Sequence, residues 1–124
     1  MEVNDIPCRV WWDDDFSVAR AEWREGSVCQ GSDARQLDAQ VAALGHGKVP
    51  TLVDIRRLRS IDRSAREFFM ASETNYASVA LLAGSAATRM MANFFLGLKR
   101  GGNPVKMFTD EADALTWLQT FPSR

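Results

Sequence analysis

Two short, near-continuously apolar runs set the limits on this chain: Thr51-Leu52-Val53-Asp54-Ile55, led in by Pro50, and residues 77–83, ASVALLA. Runs of this kind read as strands buried on both faces of a parallel sheet, with no wet side to force alternation. Between them, from about Asp62 to Asn75, the apolar positions Ile61, Ala65, Phe68 and Phe69, with Ser72, share one side of a helix. Strand, amphipathic helix, strand is the unit of a sheet whose neighbours run parallel.

The rest of the chain extends that unit. Residues 8–12 (CRVWW) and 16–23 (FSVARAEW) are rich in β-formers and flank Asp13-Asp14-Asp15, which reads as an antiparallel hairpin with an acidic turn. Ser32-Asp33 is a cap pair for a helix carrying Leu37, Val41 and Leu44 on one face, ended by Gly45 and Gly47. Gly84-Ser85 turns the second buried strand into a third helix ending near Leu98. Gly101-Gly102-Asn103-Pro104 is a loop, residues 105–108 (VKMF) a strand, and Thr109-Asp110 caps a last helix through about Phe121. The expected order is β-β-α-β-α-β-α-β-α, one α/β domain over residues 1–124 with a mixed, mostly parallel sheet, an N-terminal hairpin and four helices. No internal repeat, low-complexity tract or linker interrupts it.

Composition narrows the function. Apolar residues are 46% and charged residues 25% of the 124, an ordinary globular balance. Fifteen basic against sixteen acidic residues leave a net charge of −1, so no global attraction to nucleic acid or anionic lipid is expected. No apolar stretch approaches the roughly 20 residues that span a bilayer, and the opening MEVNDIP lacks the apolar core of a signal peptide. A cytoplasmic protein without membrane insertion is the expectation. Cys8 and Cys29 match no zinc or redox spacing and read as free thiols, with a disulfide open should their segments pair. Catalysis needs a tuned acid, base or nucleophile. The one histidine, His46, lies between Gly45 and Gly47 in a loop, and no GxGxxG, Walker A, HExxH or CxxC motif is present. The acidic run 13–15 reads as a solvated turn. The chain is therefore expected to be no enzyme and to carry no metal or cofactor.

The segment from Arg56 to Arg66 is the richest in chemistry. Arg56, Arg57, Arg59, Arg63 and Arg66 fall on the loop after a buried strand and the first turn of a helix. Ligands of open α/β sheets bind outside the C-terminal ends of strands, and a helix N-terminus adds free N–H groups and partial positive charge. With Asp54, Asp62, a hydroxyl at Ser64 and Ser85 after the next strand, this reads as an anion- or partner-binding surface. The plainer reading stands beside it: Asp62 as an N-cap, Ser64 facing water, and arginines that are merely solvated.

Two further features suggest a partner. On the third helix Met90, Met91, Phe94, Phe95 and Leu98 spread over roughly 140° at about 100° per residue, mostly core, while Leu96 lies off that arc near Arg89. Leu96, with Met90 at the edge and Phe94 nearby, are candidate interface residues. Trp11 and Trp12 are adjacent in a strand and face opposite sides. One of them must be covered by something other than the main core face, whether a helix, a dimer partner or a ligand.

The stretch from Leu52 to Phe69, LVDIRRLRSIDRSAREFF, resembles the central segment of STAS domains, the fold of bacterial anti-sigma-factor antagonists (SpoIIAA-like). There a buried strand ending in Asp leads to Asp-Ser-Ser/Thr-Gly at a helix start; Asp54 matches the first, and Asp62-Arg63-Ser64-Ala65 the second. The order of elements fits over roughly the whole chain. MANFFLGL with VKMFTDEADALTWL looks like an uncharacterised group of bacterial STAS-like proteins, which sharpens the fold and not the function. The resemblance implies that Ser64 is a phosphorylation site. A phosphate there would attract Arg63 and Arg66 and repel Asp62, and attraction is expected to win. Three departures stand out: Arg63 replaces a small hydroxyl residue, Ala65 replaces Gly, and Arg66 replaces an aliphatic residue. The implied function is a non-catalytic regulatory module that binds a protein partner or itself as a homodimer, through the Ser64 region or the third helix. The alternative is a binder of a small anionic or lipid-like ligand, its head group at Arg56–Arg66 and its tail against Phe94 and Phe95.

Overall fold

The computed structural model describes residues 6–71, 76–98 and 104–121, with the side chains at 70–71 and 94–98 outside that description. β1 (Cys8–Asp13) and β2 (Val18–Trp23) form the antiparallel hairpin, in register from Cys8 opposite Trp23 to Asp13 opposite Val18. The acidic turn is built by its first member. The Asp13 carboxylate accepts the backbone N–H groups of Asp15 (3.0 Å) and Phe16 (3.3 Å), and Ser17 takes the left-handed conformation that reverses the chain.

β4 (Val49–Asp54), β6 (Tyr76–Leu82) and β7 (Val105–Phe108) continue the sheet in parallel, in the order β1-β2-β4-β6-β7. The connections carry α1 (Gly31–Ala43), α2 (Arg63–Ala71) and α3 (Ala86–Leu98), and α4 (Glu111–Leu118) follows β7. Adjacent strand residues go to opposite layers. Val53 joins Ala19, Ala21, Trp23 and Val49 in a core closed by Ala34, Leu37 and Val41 of α1, Ala65 of α2 and Ala92 of α3. Leu52 joins Val18, Ala80 and Leu82 under Ala114, Leu115 and Leu118 of α4. The expected mixed, mostly parallel sheet with hairpin and four helices is the observed fold.

Boundaries differ in physically simple ways. α1 begins at Gly31 with Gln30 as N-cap, and Asp33 reaches back from the first turn to the Gln30 N–H (2.9 Å), so the expected Ser32-Asp33 cap is shifted by two residues. Asp110 caps α4 by accepting from Ala112 N–H (2.7 Å) and Asp113 N–H (3.3 Å). The expected last residues of the second helix, 72–75, lie outside the described residues.

One feature the sequence did not suggest is a second, two-stranded parallel ladder of β3 (Val28–Cys29) and β5 (Ser60–Ile61). Backbone bonds from Gly26 N–H to Arg57 O (2.9 Å), Arg59 N–H to Ser27 O (2.8 Å) and Asp62 N–H to Cys29 O (2.9 Å) lace the loop after β2 to the loop after β4. That lacing fixes where α1 and α2 begin.

Candidate functional site at the start of α2

Asp62 leaves the β3–β5 ladder with its N–H bound to Cys29 O, and its carboxylate accepts Ala65 N–H at 2.8 Å, capping α2. Ser64, two residues on, is exposed. Its hydroxyl also lies hard against the first turn of α1: a Cβ built on Gly31 would sit 2.5 Å from Ser64 Oγ and 2.8 Å from Ser64 Cβ. Glycine at 31 is what lets the two helix starts meet. Both are already served by carboxylates, Asp33 at the head of α1 and Asp62 at the head of α2.

The five arginines are divided among different surroundings. Arg56 turns back onto Asp54, donating from its N–H (3.0 Å), Nε (3.0 Å) and Nη2 (2.7 Å). That fork holds the Arg56 guanidinium charged, raising its pKa, chiefly through the hydrogen bond to Asp54. Its stem lies along Gly84, where an added Cβ would meet Arg56 Cγ at 3.3 Å. From Arg56 Nη2 the ion pairs run to Glu111 (4.0 Å), from Glu111 to Arg20 Nη2 (3.0 Å), and from Arg20 Nη1 to Asp13 (3.1 Å). Asp54 and Arg56 thereby tie the end of β4 to the head of α4 and to the hairpin.

Arg63 pairs with Glu67 at 3.1 Å, one helical turn away and fully at the surface, where such pairs contribute little. Arg57 is exposed, with its backbone carbonyl in the ladder. Arg59 and Arg66 share a groove of ≈ 380 Å³ with Ser60, Ile61, Ala87, Met90 and Met91. Ser85 closes the head of α3: its hydroxyl accepts Thr88 N–H (3.1 Å), while Thr88 Oγ1 accepts the Gly84 and Ser85 N–H groups (3.0 Å each).

Beneath the groove, between the sheet and α1–α3, lies an apolar cavity of ≈ 70 Å³ whose walls include Trp23, Cys29, Leu37, Phe69, Tyr76 and Val79. Nothing in the sequence pattern singled it out, because it is a packing void left by helix placement. Cys8 and Cys29 are buried free thiols, and burial pushes both pKa values up, Cys29 to about 12.

The tryptophans separate as alternation requires. Trp12 packs on the main core and stacks on His46 (3.7 Å between centroids, 7° between planes). Trp11, on the other face, lies under the guanidinium carbons of Arg9 (4.3 Å) and Arg20 (5.4 Å). Met90 is 73% exposed. The side chains of Phe94, Phe95 and Leu96 lie outside the described residues.

A family model described as Domain of unknown function (DUF7793) matches residues 10–122. The chain belongs to this family. Among solved structures it is similar to a Shewanella loihica PV-4 protein from the DUF3478 family with a SpoIIAA-like fold, at 19% identity and a TM-score of 0.59, covering 90% of this chain and 91% of that one. It is also similar to a protein of unknown function from Arthrobacter sp. FB24, at 34% identity over 88% of this chain and 90% of that one, with a TM-score of 0.35. No curated protein matches the chain. The first of these structures shows that the DUF7793 domain has a SpoIIAA-like fold. Among the described residues no helix is long and apolar enough to cross a membrane.

Proposed function

We propose that this DUF7793 domain is a non-catalytic regulatory module of the STAS type, acting in the cytoplasm, that docks a protein partner on the surface around Ser64 and is switched by phosphorylation there. The observation that carries the reading is the position of Ser64: an exposed hydroxyl in the first turn of α2, wedged against Gly31 at the head of α1. A phosphate adds about −1.5 to −2 charges and three acceptor oxygens. Arg63, exposed on the same turn, offers attraction, while the capping carboxylates Asp33 and Asp62 oppose it. The bulk of the group has to turn away from Gly31. In this reading the switch works by loosening the seam between α1 and α2 as well as by changing surface charge. A second copy of the chain is a candidate partner, since Met90 presents an apolar side chain on α3.

The test is chemical. Protein recovered from its own cells should carry one phosphate by intact mass, mapped by fragmentation to Ser64. Immobilised wild-type and Ser64→Asp proteins should then differ in a partner identified by mass spectrometry. Absence of phosphate at Ser64 across growth conditions, or equal capture by both forms, refutes the switch.

A further inference from the structure

The groove and the cavity are neighbours that share two walls. Ile61 and Met91 line both, so they form the partition between an open trough bearing Arg59 and Arg66 and an apolar chamber reaching Cys29, Leu37 and Tyr76. Among the described residues the trough is lined by Arg59, Arg66 and Ser60 with the apolar Ile61, Ala87, Met90 and Met91, and by no acidic residue. Its ≈ 380 Å³ falls at the lower end of the ~300–1,000 Å³ of small-molecule sites. The chamber, at ≈ 70 Å³, exceeds the ~10–15 Å³ that a single water needs. Water has little reason to fill it, because its walls are almost wholly apolar. One side of the partition is a methionine, an unbranched and easily rearranged side chain.

From these observations we infer that this face binds a single-chain amphiphile with a compact anionic head. The head is held by Arg59 and Arg66, and the tail runs along Met90, past Ile61 and Met91, into the chamber. The size of the trough favours one short- to medium-length chain over a two-chain lipid. Arg66 donates from Nη1 to the Ile61 carbonyl at 3.4 Å, beside the partition. Arg59 stands on the β5 side, its backbone pinned by the bond to Ser27 O (2.8 Å). The inference is independent of phosphorylation at Ser64 and survives its failure.

Decanoate is the probe, titrated into the purified full chain below its micelle-forming concentration and followed by amide chemical shifts. Saturable binding is expected, with the largest shifts at Ile61, Met91 and Cys29. Each added methylene buried should tighten binding about fourfold, so octanoate should bind about 15-fold more weakly than decanoate. Decanol, lacking the charge, and the surface variant Arg59→Gln with decanoate should each bind about tenfold more weakly. Affinity that ignores chain length, shifts that spare Ile61 and Met91, or an unaffected Arg59→Gln variant overturns the inference. Binding to phosphatidylglycerol vesicles with none to free decanoate overturns it in favour of a membrane surface.

Discussion

Replacing Gly31 with alanine puts one methyl group into the seam between α1 and α2. The new Cβ would lie 2.5 Å from Ser64 Oγ, 2.8 Å from Ser64 Cβ and 3.5 Å from the Ser64 carbonyl carbon. Only the last is an ordinary contact. The first two sit on a short side chain anchored to the first turn of a helix, with no flexible end to swing aside, so α1 and α2 must move apart. Overpacking of this kind costs about 1–3 kcal/mol, against which alanine's better helix propensity returns less than about 1 kcal/mol at a first-turn position. At about 2.1 cal/mol/K of unfolding entropy per residue, the 124 residues give roughly 0.26 kcal/mol/K. Gly31→Ala should therefore lower Tm by about 4–11 °C before that small return. The decisive comparison is a double-mutant cycle. Ser64→Gly removes both close contacts and should rescue Gly31→Ala almost fully, whereas Ser64→Ala leaves the 2.8 Å contact and should rescue it in part. Thermal and urea unfolding of the six proteins, wild type with three single and two double variants, give the coupling. Strict additivity of Gly31→Ala with Ser64→Gly, or a Gly31→Ala protein as stable as wild type, refutes the reasoning that Ser64 is seated against α1.

Two other outcomes are expected. The thiols of Cys8 and Cys29 ionise in the unfolded chain near pH 9 but are held protonated in the native state, Cys29 to about 12, so above pH 9 the unfolded chain binds fewer protons and stability falls. The loss approaches about 1.4 kcal/mol per pH unit for each thiol; urea midpoints at pH 8 and pH 10 should show a steeper decline for wild type than for Cys8→Ala/Cys29→Ala, and equal declines would count against it. Asp110→Ala removes the cap of α4 and should cost about 1 kcal/mol in equilibrium unfolding; no loss would mean that the two N–H bonds are replaced by water.

Much of the fold was legible because burial writes itself into pattern. Leu52 and Val53 are both apolar since each goes to a different core, and a run like that belongs to a strand covered on two sides. Asp110 and Asp62 were legible as caps for the same reason that they work: a short carboxylate before a helix finds free N–H groups. The β3–β5 ladder was not legible, because two residues carry no period. Nor was the direction of the arginines. Proximity along the chain joined Arg56 to Arg59 and Arg66, yet Arg56 is drawn back to Asp54 and to Glu111 of a helix far away in sequence. The pair Trp11-Trp12 announced that something off the core face must cover one ring. Among the described residues, two guanidinium groups lie over Trp11, from Arg9 on the same strand and Arg20 on its hairpin partner. Nothing in the local pattern marks Gly31, because its role depends on a side chain more than thirty positions away.

The two layers of the sheet differ in how tightly they are closed, and that difference bears on where the molecule can act. On the α4 side, Leu52, Leu82 and Leu118 are sealed and the rim is stitched by alternating charges from Asp54 through Arg56, Glu111 and Arg20 to Asp13. A partner binding there would have to break charged contacts that already satisfy one another. On the α1–α3 side the layer contains an unfilled apolar chamber, a trough bearing two arginines, and a helix junction whose close approach depends on the absence of a side chain at residue 31. Shifts of α2 on that side change the chamber wall through Phe69 and the trough through Arg66 at once, because one helix carries both. A phosphate at Ser64 and an amphiphile in the trough would therefore each bias the same helix, and by reciprocity of binding each would alter the effect of the other.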